Sequence, residues 1–235
     1  MPAADLRASA AHVFVADLDV LRLSAQDRHH LERVLRLRPG QAVTAADGAG
    51  GWRPCAWLGG GHLEPSGEVV RDPAPSPPLT VGFALTKGDR PEWVVQKLTE
   101  AGVDRIVPFT AVRSVVRWDA EKAGRAVERW QRVAREAAMQ SRRSRLPVVE
   151  AVADGAAAAA GLGTGAALAE PTGGPPSLDH PTVLVGPEGG WAAEELGSGL
   201  ATVGLGPTVL RADTAAVAAA VFLSALRAGV VGPAR

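Results

Sequence analysis

The sequence predicts an α/β protein in which a parallel sheet follows a smaller, strand-rich region. A proline-rich stretch, DPAPSPP at 72–78, carries four prolines in seven residues and is typical of a linker. After this stretch, apolar strand-like runs alternate with helix patterns, whereas short strands and glycine-rich turns precede it. The chain therefore divides into two predicted domains, 1–72 and 73–235.

Short strand patterns dominate the region before the linker and favour a small β-barrel or sandwich. One helix is predicted over 24–37, with Ser24 as its N-cap and with Leu31, Val34 and Leu35 on one apolar face. The predicted strands are HVFVADL at 12–18, QAVTAADG at 41–48 and RPCAWLGG at 53–60.

The region after the linker alternates between strands and helices, which predicts a parallel sheet. The last helix is capped by Asp213 or Thr214, and the alanine-rich stretch at 153–165 is predicted to be a loop without function. Trp93 and Trp130 are spaced like the buried residues of a helix, so both are predicted to pack in the core. The predicted strands are 79–85, 105–110, 165–170, 182–186 and 202–206. The predicted helices are 91–102, 119–140, 191–200 and 213–229.

Composition favours a soluble globular protein of the cytoplasm. Hydrophobic residues make up 46% of the chain and charged residues 21%, and no apolar run approaches the length of a membrane span. Cys55 is the only cysteine, which excludes internal disulfides and cysteine-cluster metal sites, so no metal is expected.

The charge is neutral overall and uneven along the chain. Between Arg105 and Arg145, eleven Lys or Arg face four Asp or Glu, within a chain that has 25 of each sign. Such asymmetry predicts a basic face for a polyanion such as a nucleic acid. An ordinary solvated helix with scattered charge is the alternative interpretation.

Three predicted strands end in loops rich in glycine or polar residues: LAEPTGG at 168–174, LVGPEGG at 184–190 and GLGPTVLRADT at 204–214. Ligands of an open α/β sheet bind beyond the carboxyl ends of its strands, and glycines expose the backbone to them. The chain has no GxxxxGK[ST] motif, and Glu170 and Glu188 would repel a pyrophosphate. These loops favour a ligand that is not strongly anionic, such as an adenosine with a positive sulfonium.

The same loops carry a resemblance to a known family. VLVGPEGGWAAEEL followed by VGLGPTVLRADTA resembles the RsmE family, SPOUT-class methyltransferases that methylate N3 of a uridine in 16S ribosomal RNA. HHLERVLRLRPGQAVTAADGAG resembles its PUA-like barrel, and RWQRVAREAAMQSRRSRLPVV resembles its basic helix and RNA-side loop. Together with LTKGDRPEWVVQKLTEAGVDRIVPF, the matches span about residues 28–225.

The resemblance implies a SPOUT-type trefoil-knotted parallel α/β domain after a small PUA-like β-barrel that binds RNA. It implies a homodimer in which the partner subunit borders each active site. It also implies that S-adenosylmethionine lies bent in the knot, held mainly by backbone groups. The implied cofactor-binding residues are Leu168, Ala169, Glu170, Leu184, Gly186, Gly189, Leu205, Gly206, Val209 and Leu210.

Methylation of uracil N3 requires loss of the N3 proton, and therefore a base or a cation that stabilises the uracil anion. Arg211 is the predicted cation, with a cap or a salt bridge to Asp213 as its structural alternative, and Asp213 is a second catalytic candidate. His180 is expected to be a surface loop residue. The RNA-binding candidates are Arg33, Arg36, Lys87, Arg113, Arg117, Gln140, Ser141, Arg142, Arg143 and Arg145.

Three runs depart from the family pattern, and one of them is Glu100-Ala101-Gly102, where the family has ELG. LRADT at 210–214 stands where the family has LRTET, and MQSRR at 139–143 stands where it has EQSGR. Because Arg211, Gln140 and Arg143 are retained, activity is expected. Trp191 follows the GPEGG run and is predicted to pack in the core, with the wall of the cofactor site as the alternative.

The predicted function is methylation of uridine N3 in 16S ribosomal RNA, within the assembled or assembling 30S subunit. One alternative is a SPOUT enzyme of another specificity, acting on a ribose 2′-hydroxyl or another base. A second alternative is a catalytically inactive RNA-binding relic. An enzyme of nucleotide phosphates is disfavoured because the chain lacks phosphate-loop motifs.

Overall fold

A computed structural model describes residues 6–232 and divides the chain into two units. The first unit contains the residues up to Ala74 together with Arg135–Leu146, and the second contains Pro75–Ala134 together with the residues from Pro147 onward. The first five residues of predicted domain 1–72 and the last three of domain 73–235 lie outside the described residues. The sequence did not predict that 135–146 would pack with the N-terminal residues.

The first unit is built on a five-stranded mixed sheet. Its core includes the buried side chains of Val13, Val43 and Trp57. Strand β1 (Ala11–Phe14) pairs in parallel with β2 (Ala42–Ala46), and β3 (Gly51–Gly59) pairs antiparallel with β2, β4 (His62–Pro65) and β5 (Val70–Arg71). Each predicted strand overlaps an observed one, whereas β4 and β5 were not predicted because both are short and lack alternation.

The helix predicted over 24–37 is shorter and changes type. Helix α1 (Ala25–His29) continues directly into a π-helical turn, His30–Val34. Ser24 is confirmed as the N-cap, because its side chain accepts a hydrogen bond from the backbone N–H of Asp27 at 3.0 Å.

The predicted apolar face of this helix is wrong for two of its three residues. Leu31 is fully buried, but the exposed fractions of Val34 and Leu35 are 61% and 41%. The Leu35 N–H donates to the His30 carbonyl, five residues back, and this wider turn moves the following side chains off the 3.6-residue spacing.

The second unit contains a seven-stranded sheet in which every pair is parallel, as predicted. The strands are β6 (Thr80–Ala84), β7 (Arg105–Thr110), β8 (Val148–Val149), β9 (Ala153–Asp154), β10 (Ala166–Gly174), β11 (Thr182–Val185) and β12 (Ala201–Val203). The order of neighbouring strands in the sheet is β12–β10–β11–β6–β7–β8, and β9 also pairs with β7.

The predicted helices are present, with three corrections. A short helix and strand β9 lie in the stretch 153–165 that was predicted to be a loop, and Ala159 is fully buried there. The helix predicted over 191–200 has four residues, and the last helix begins one residue earlier than predicted, with Arg211 as its N-cap. The helices are α2 (Arg90–Glu100), α3 (Ala120–Gln140), α4 (Ala156–Ala160), α5 (Ala193–Leu196) and α6 (Ala212–Arg227).

Alternation along the strands divides the core of the second unit between the two faces of the sheet. Val183 and Val185 join the cluster formed with α2, α3 and α6, whereas Leu184 joins the cluster formed with α4. Trp130 is buried as predicted, but Trp93 is 44% exposed, because the buried face of α2 is formed by its neighbours. Within residues 6–232, no helix is both long and apolar enough to cross a membrane.

Candidate functional site

The three loops singled out in the sequence meet around one cavity of about 330 Å³ at the carboxyl ends of the parallel strands. Its lining residues come from 169–171, where β10 stops pairing with β11, from 185–191, at and after the end of β11, and from 205–215, which lead into α6 and form its start. Parallel strands direct their carboxyl ends to one edge, so loops that are distant in sequence become neighbours there.

Seven of the ten predicted cofactor-binding residues line this cavity, and three do not. Leu168 and Leu184 are fully buried in the cluster against α4, because the two-residue alternation points them away from the face that carries the cavity. Gly189 belongs to the same loop but does not line the cavity. The seven residues in the wall are Ala169, Glu170, Gly186, Leu205, Gly206, Val209 and Leu210.

The glycines of these loops serve two different needs. At Gly186, a Cβ atom would lie only 2.9 Å from the indole ring of Trp191, so the bare backbone makes room for that ring. At Gly190 and Gly206, a Cβ would meet nothing within 4 Å, but φ is +70° and +144°, a region that favours glycine. The sequence indicated that Gly186 matters and did not reveal that its neighbour is a side chain.

Trp191 is both a core residue and a wall of the cavity, so the two interpretations of the sequence coexist. Its side chain is buried, and its Nε1–H donates to the carbonyl oxygen of Ala169 at 2.9 Å. The ring stacks on Phe109 with centroids 6.0 Å apart and planes 2° from parallel. The indole therefore connects the middle of β10 and the end of β7 to the loop after β11.

Glu195 is a structural carboxylate that the sequence did not single out. It is buried, and its two oxygens accept hydrogen bonds from the backbone N–H groups of Ala192, at 2.9 Å, and Val112, at 3.2 Å. The first contact closes the turn before α5, and the second attaches this turn to the loop that follows β7. The sequence signal that could have identified Glu195 is its position as the third residue of a helix, where a Glu is typical of a capping box.

Two arginines contact the loop that follows β11 from outside the cavity. Arg113 donates to the carbonyl oxygen of Gly189 at 3.1 Å, and Arg90 pairs with the carboxylate of Glu188 at 3.1 Å. Both partners of the second contact are about half exposed, so the pair adds little to the free energy of unfolding. Arg113, predicted to bind RNA, is exposed and retains further N–H donors.

Of the two catalytic candidates, Arg211 lines the cavity and Asp213 does not. The Arg211 side chain is 61% exposed, and its Nε lies 3.8 Å from the nearer carboxylate oxygen of Asp213, too far for a hydrogen bond. Asp213 instead accepts from the backbone N–H of Thr214 at 2.8 Å. His180 is half-buried and precedes β11, at the opposite end of that strand from the cavity.

In the first unit, residues 135–146, named the basic segment, are fastened by their own polar groups. Arg142 has φ +58° and donates to the carbonyl oxygens of Met139 and Ser9, and burial lowers the pKa of its guanidinium. Arg145 donates to the carbonyl oxygen of Asp72 at 2.6 Å. These two guanidinium groups brace the segment, so their predicted contacts with RNA stay predictions.

Other groups complete the attachment of the basic segment. The Nε2 atom of His12 lies 2.9 Å from the carbonyl oxygen of Arg143, and its Nδ1 lies 2.7 Å from the Thr44 hydroxyl. A carbonyl only accepts, so Nε2 carries the proton and Nδ1 accepts from Thr44. Burial, the largest cause, lowers the pKa of His12 to about 4. The remaining RNA-binding candidates vary in exposure: Arg33, Arg36, Lys87, Arg117 and Gln140 are exposed, and Ser141 and Arg143 are half-buried.

An all-parallel α/β sheet with a cavity of backbone-rich loops at its strand ends defines a ligand-binding domain of the open α/β class. A family model described as the RNA methyltransferase domain matches residues 73–224, and one described as the RNA methyltransferase PUA domain matches residues 23–56. The chain belongs to this family of RNA methyltransferases, as its loop motifs predicted.

Named relatives agree with this membership. Ribosomal RNA small subunit methyltransferase E of Mycobacterium bovis is 36% identical over 210 residues, which cover 81% of this chain and 80% of the relative. The protein of the same name from Synechocystis sp. is 33% identical over 223 residues, which cover 87% of this chain and 72% of the relative.

Two similar structures contain a cofactor. Ribosomal RNA small subunit methyltransferase E of Neisseria gonorrhoeae, bound to S-adenosyl methionine, has a TM-score of 0.72 and 25% identity, covering 93% of this chain and 97% of that one. The Lpg2936 protein of Legionella pneumophila, in complex with the cofactor SAM, has a TM-score of 0.68 and 26% identity, covering 86% and 90%.

Proposed function

We propose that the protein transfers the methyl group of S-adenosylmethionine to N3 of a uridine in the 16S RNA of the small ribosomal subunit. The observation that carries the proposal is the convergence of the three loops on one cavity. The names of the relatives support small-subunit ribosomal RNA as the substrate, and the cofactor-bound structures support S-adenosylmethionine.

The cavity fits the proposed cofactor in size and in charge. Its volume of about 330 Å³ lies in the range of small-molecule sites. Leu205, Leu210 and Val185 give it apolar walls, and Glu170 and Glu188 add negative charge that complements a sulfonium. When bound, S-adenosylmethionine supplies an activated methyl group. The residues proposed to hold it are Ala169, Glu170, Gly186, Leu205, Gly206, Val209 and Leu210.

Arg211 is the residue proposed to assist the chemistry. Arginine is the side chain suited to presenting a fixed positive charge, and Arg211 lines the cavity. A fixed positive charge there stabilises the anion that uracil becomes when N3 loses its proton. Asp213, which lies outside the cavity wall, is proposed to orient Arg211 from a distance of 3.8 Å between Nε and the carboxylate.

RNA binding is proposed for the exposed cations of both units. Arg33 and Arg36 belong to the first unit, proposed as the PUA-like barrel domain, and Lys87, Arg113 and Arg117 belong to the second. Positive side chains contact phosphates and position the RNA, whereas base edges supply specificity. In the basic segment, Gln140, Ser141 and Arg143 are proposed to contact RNA, and Arg142 and Arg145 to hold the segment in shape.

The knot and the homodimer are also proposals. The knotted path is proposed from the resemblance of the loop motifs to the family. On α6, Val221 and Phe222 are 51% and 39% exposed, and an exposed apolar pair supports contact with a second copy. The cytoplasm is the proposed location of the protein, because it is the compartment of the proposed substrate.

The product nucleoside tests the proposed function. Purified protein and S-adenosylmethionine with a labelled methyl group are incubated with unmodified 16S RNA, free or assembled into 30S subunits, and the RNA is digested to nucleosides. Label in 3-methyluridine is the expected result. Label in a 2′-O-methylated nucleoside would assign another specificity, and RNA binding without label would favour the inactive relic.

A further inference from the structure

We infer that Trp191 is a positioning residue of the cofactor cavity, which fixes the spacing of the strand ends and so sets cofactor affinity and not the rate of methyl transfer. The inference rests on the proposed function, since it assumes that the cavity binds S-adenosylmethionine. It concerns a side chain that contacts three segments of the second unit at once.

Trp191 holds these segments by three different contacts. Its Nε1–H donates to the Ala169 carbonyl, at the last residue of β10 that pairs with β11, its ring packs against the bare backbone of Gly186 after β11, and its face stacks on Phe109 in β7. Ala169 and Gly186 both line the cavity. A change in the indole therefore alters the distance between two walls.

The contacts of Trp191 explain why affinity is the affected quantity. The indole contacts the segments 169–171 and 185–191, whereas Arg211 belongs to the segment 205–215, which carries the proposed charge stabilisation. Loss of a contact that affects ground state and transition state equally raises KM and leaves kcat unchanged. Loss of Arg211 would lower kcat, so the two roles can be separated.

Gly186 and Trp191 depend on each other sterically. A Cβ at Gly186 would lie 2.9, 3.1 and 3.3 Å from three atoms of the six-membered part of the Trp191 ring. Leucine at position 191 lacks those atoms. The substitution Gly186→Ala should therefore displace the ring in the natural protein and cause little further change in the Trp191→Leu background, which makes the two substitutions non-additive.

The first experiment is calorimetric titration with S-adenosylmethionine, together with steady-state kinetics, on the natural protein and on Trp191→Phe. Phenylalanine keeps an aromatic ring and removes the N–H donor to Ala169. We expect Kd and KM to rise about tenfold, the effect of one lost hydrogen bond at a partly buried carbonyl, with kcat within about twofold. Trp93→Phe is the matched control, since Trp93 lies on α2, is 44% exposed and does not line the cavity.

Fluorescence gives a second measurement, which tests whether the cofactor binds beside Trp191. The chain has six tryptophans, and of these Trp191 lines the cavity. Cofactor binding should change the emission of the natural protein and of Trp93→Phe, and this change should be absent in Trp191→Phe. The double variant Gly186→Ala/Trp191→Leu tests the steric contact, with a melting temperature close to that of Trp191→Leu alone.

The outcomes separate the two proposals. If the natural protein, folded, binds no S-adenosylmethionine, the proposed function fails. If it binds, and Trp191→Phe binds equally well or shows only a lower melting temperature, the inference about Trp191 is overturned. A fall in kcat at unchanged KM would also overturn it, because that result would place Trp191 in the chemistry. Should Trp191→Leu fail to fold, Trp191→Phe and the fluorescence still decide.

Discussion

The basic segment of the first unit and the strand-end cavity of the second are built in opposite ways. The basic segment is held by charged and polar side chains that reach backbone carbonyls, as Arg142 reaches Ser9 and His12 reaches Arg143. The cavity is lined by glycines, aliphatic side chains and one indole, and its charged side chains, Glu170, Glu188 and Arg211, come from different loops. The number of charged residues in a sequence therefore overstates how many of them are available to bind RNA, because some of these side chains make contacts inside the unit.

The largest effect is expected at the ion pair that anchors the start of the basic segment. Both terminal nitrogens of the Arg135 guanidinium, Nη2 and Nη1, donate to the carboxylate of Asp27, at 2.7 and 3.0 Å. The Asp27 side chain is 2% exposed. Asp27→Ala leaves a cation without its partner and should lower the free energy of unfolding by about 3 kcal/mol, measured by urea denaturation. The surface pair of Arg53 with Asp19, whose side chain is 87% exposed, is the matched control. Asp19→Ala should cost less than about 1 kcal/mol, and equal losses would contradict the prediction.

On the cavity side, Arg211→Ala should lower kcat by about 10²- to 10³-fold, the usual effect of removing one group that stabilises developing charge. The side chain is 61% exposed and no hydrogen bond holds it to Asp213, so the free energy of unfolding should change little. Cofactor Kd should stay within a few-fold. Single-turnover methylation at saturating cofactor measures the effect, and Arg211→Lys should recover part of the rate. A variant with undiminished kcat would remove Arg211 from the chemistry.

The buried histidine makes the first unit sensitive to pH. Because burial depresses the pKa of His12 to about 4 in the folded state, the unfolded chain binds a proton first as the pH falls below 6.5. The contribution of His12 to stability is complete above pH 6.5 and is lost as the pH falls toward 4, by an amount on the order of 3 kcal/mol. Stability curves from pH 7 to 4 should be steeper for the natural protein than for His12→Asn. The exposed His62 is the control, and His62→Asn should keep the steep curve; parallel curves for His12→Asn would refute the assignment.

The smallest effect is expected where two strands touch by backbone. A Cβ at Gly173 would lie 2.5 Å from the Val203 nitrogen and 2.6 Å from two carbonyl carbons, whereas a Cβ at the next residue, Gly174, has its nearest neighbour at 4.0 Å. Gly173→Ala should therefore lower the free energy of unfolding by about 2 kcal/mol and weaken cofactor binding, because the loop after β12 must shift. Gly174→Ala should be close to neutral. Thermal denaturation of the two variants measures the difference in stability. Similar melting temperatures would contradict the prediction and would show that β12 can shift at little cost in free energy.

Sequence alone predicted the sheet and the loops of the cavity for one physical reason. A site made of backbone requires glycine and proline at particular positions, and strands that alternate with helices must be parallel, so both features appear in the order of residues. The loops that contain Ala169 and Gly186 could be assigned to one site because they lie at strand ends of the same parallel sheet, whereas the individual residues were named from the family resemblance. Their assignment as cofactor ligands stays a prediction.

Other features depend on contacts that no local pattern records. The partner of Arg142 is Ser9, 133 residues away, so a run of arginines gave no indication that one of them faces inward. The ring beside Gly186 comes from a residue that follows it by five positions across a turn. Helix α4 was missed because the alanines were ascribed to composition, although alanine is the strongest helix former.

Helix α3 contributes Trp130 to the core of the second unit, and its final turn, from Arg135, belongs to the first. On the ribosome that makes this protein, the N-terminal residues therefore wait for about seventy further residues before the segment that completes their unit has been synthesised. At roughly 5–20 residues per second, that interval is several seconds. Asp27 spends it without Arg135, and a fragment that stops at the proline-rich linker would never acquire its partner.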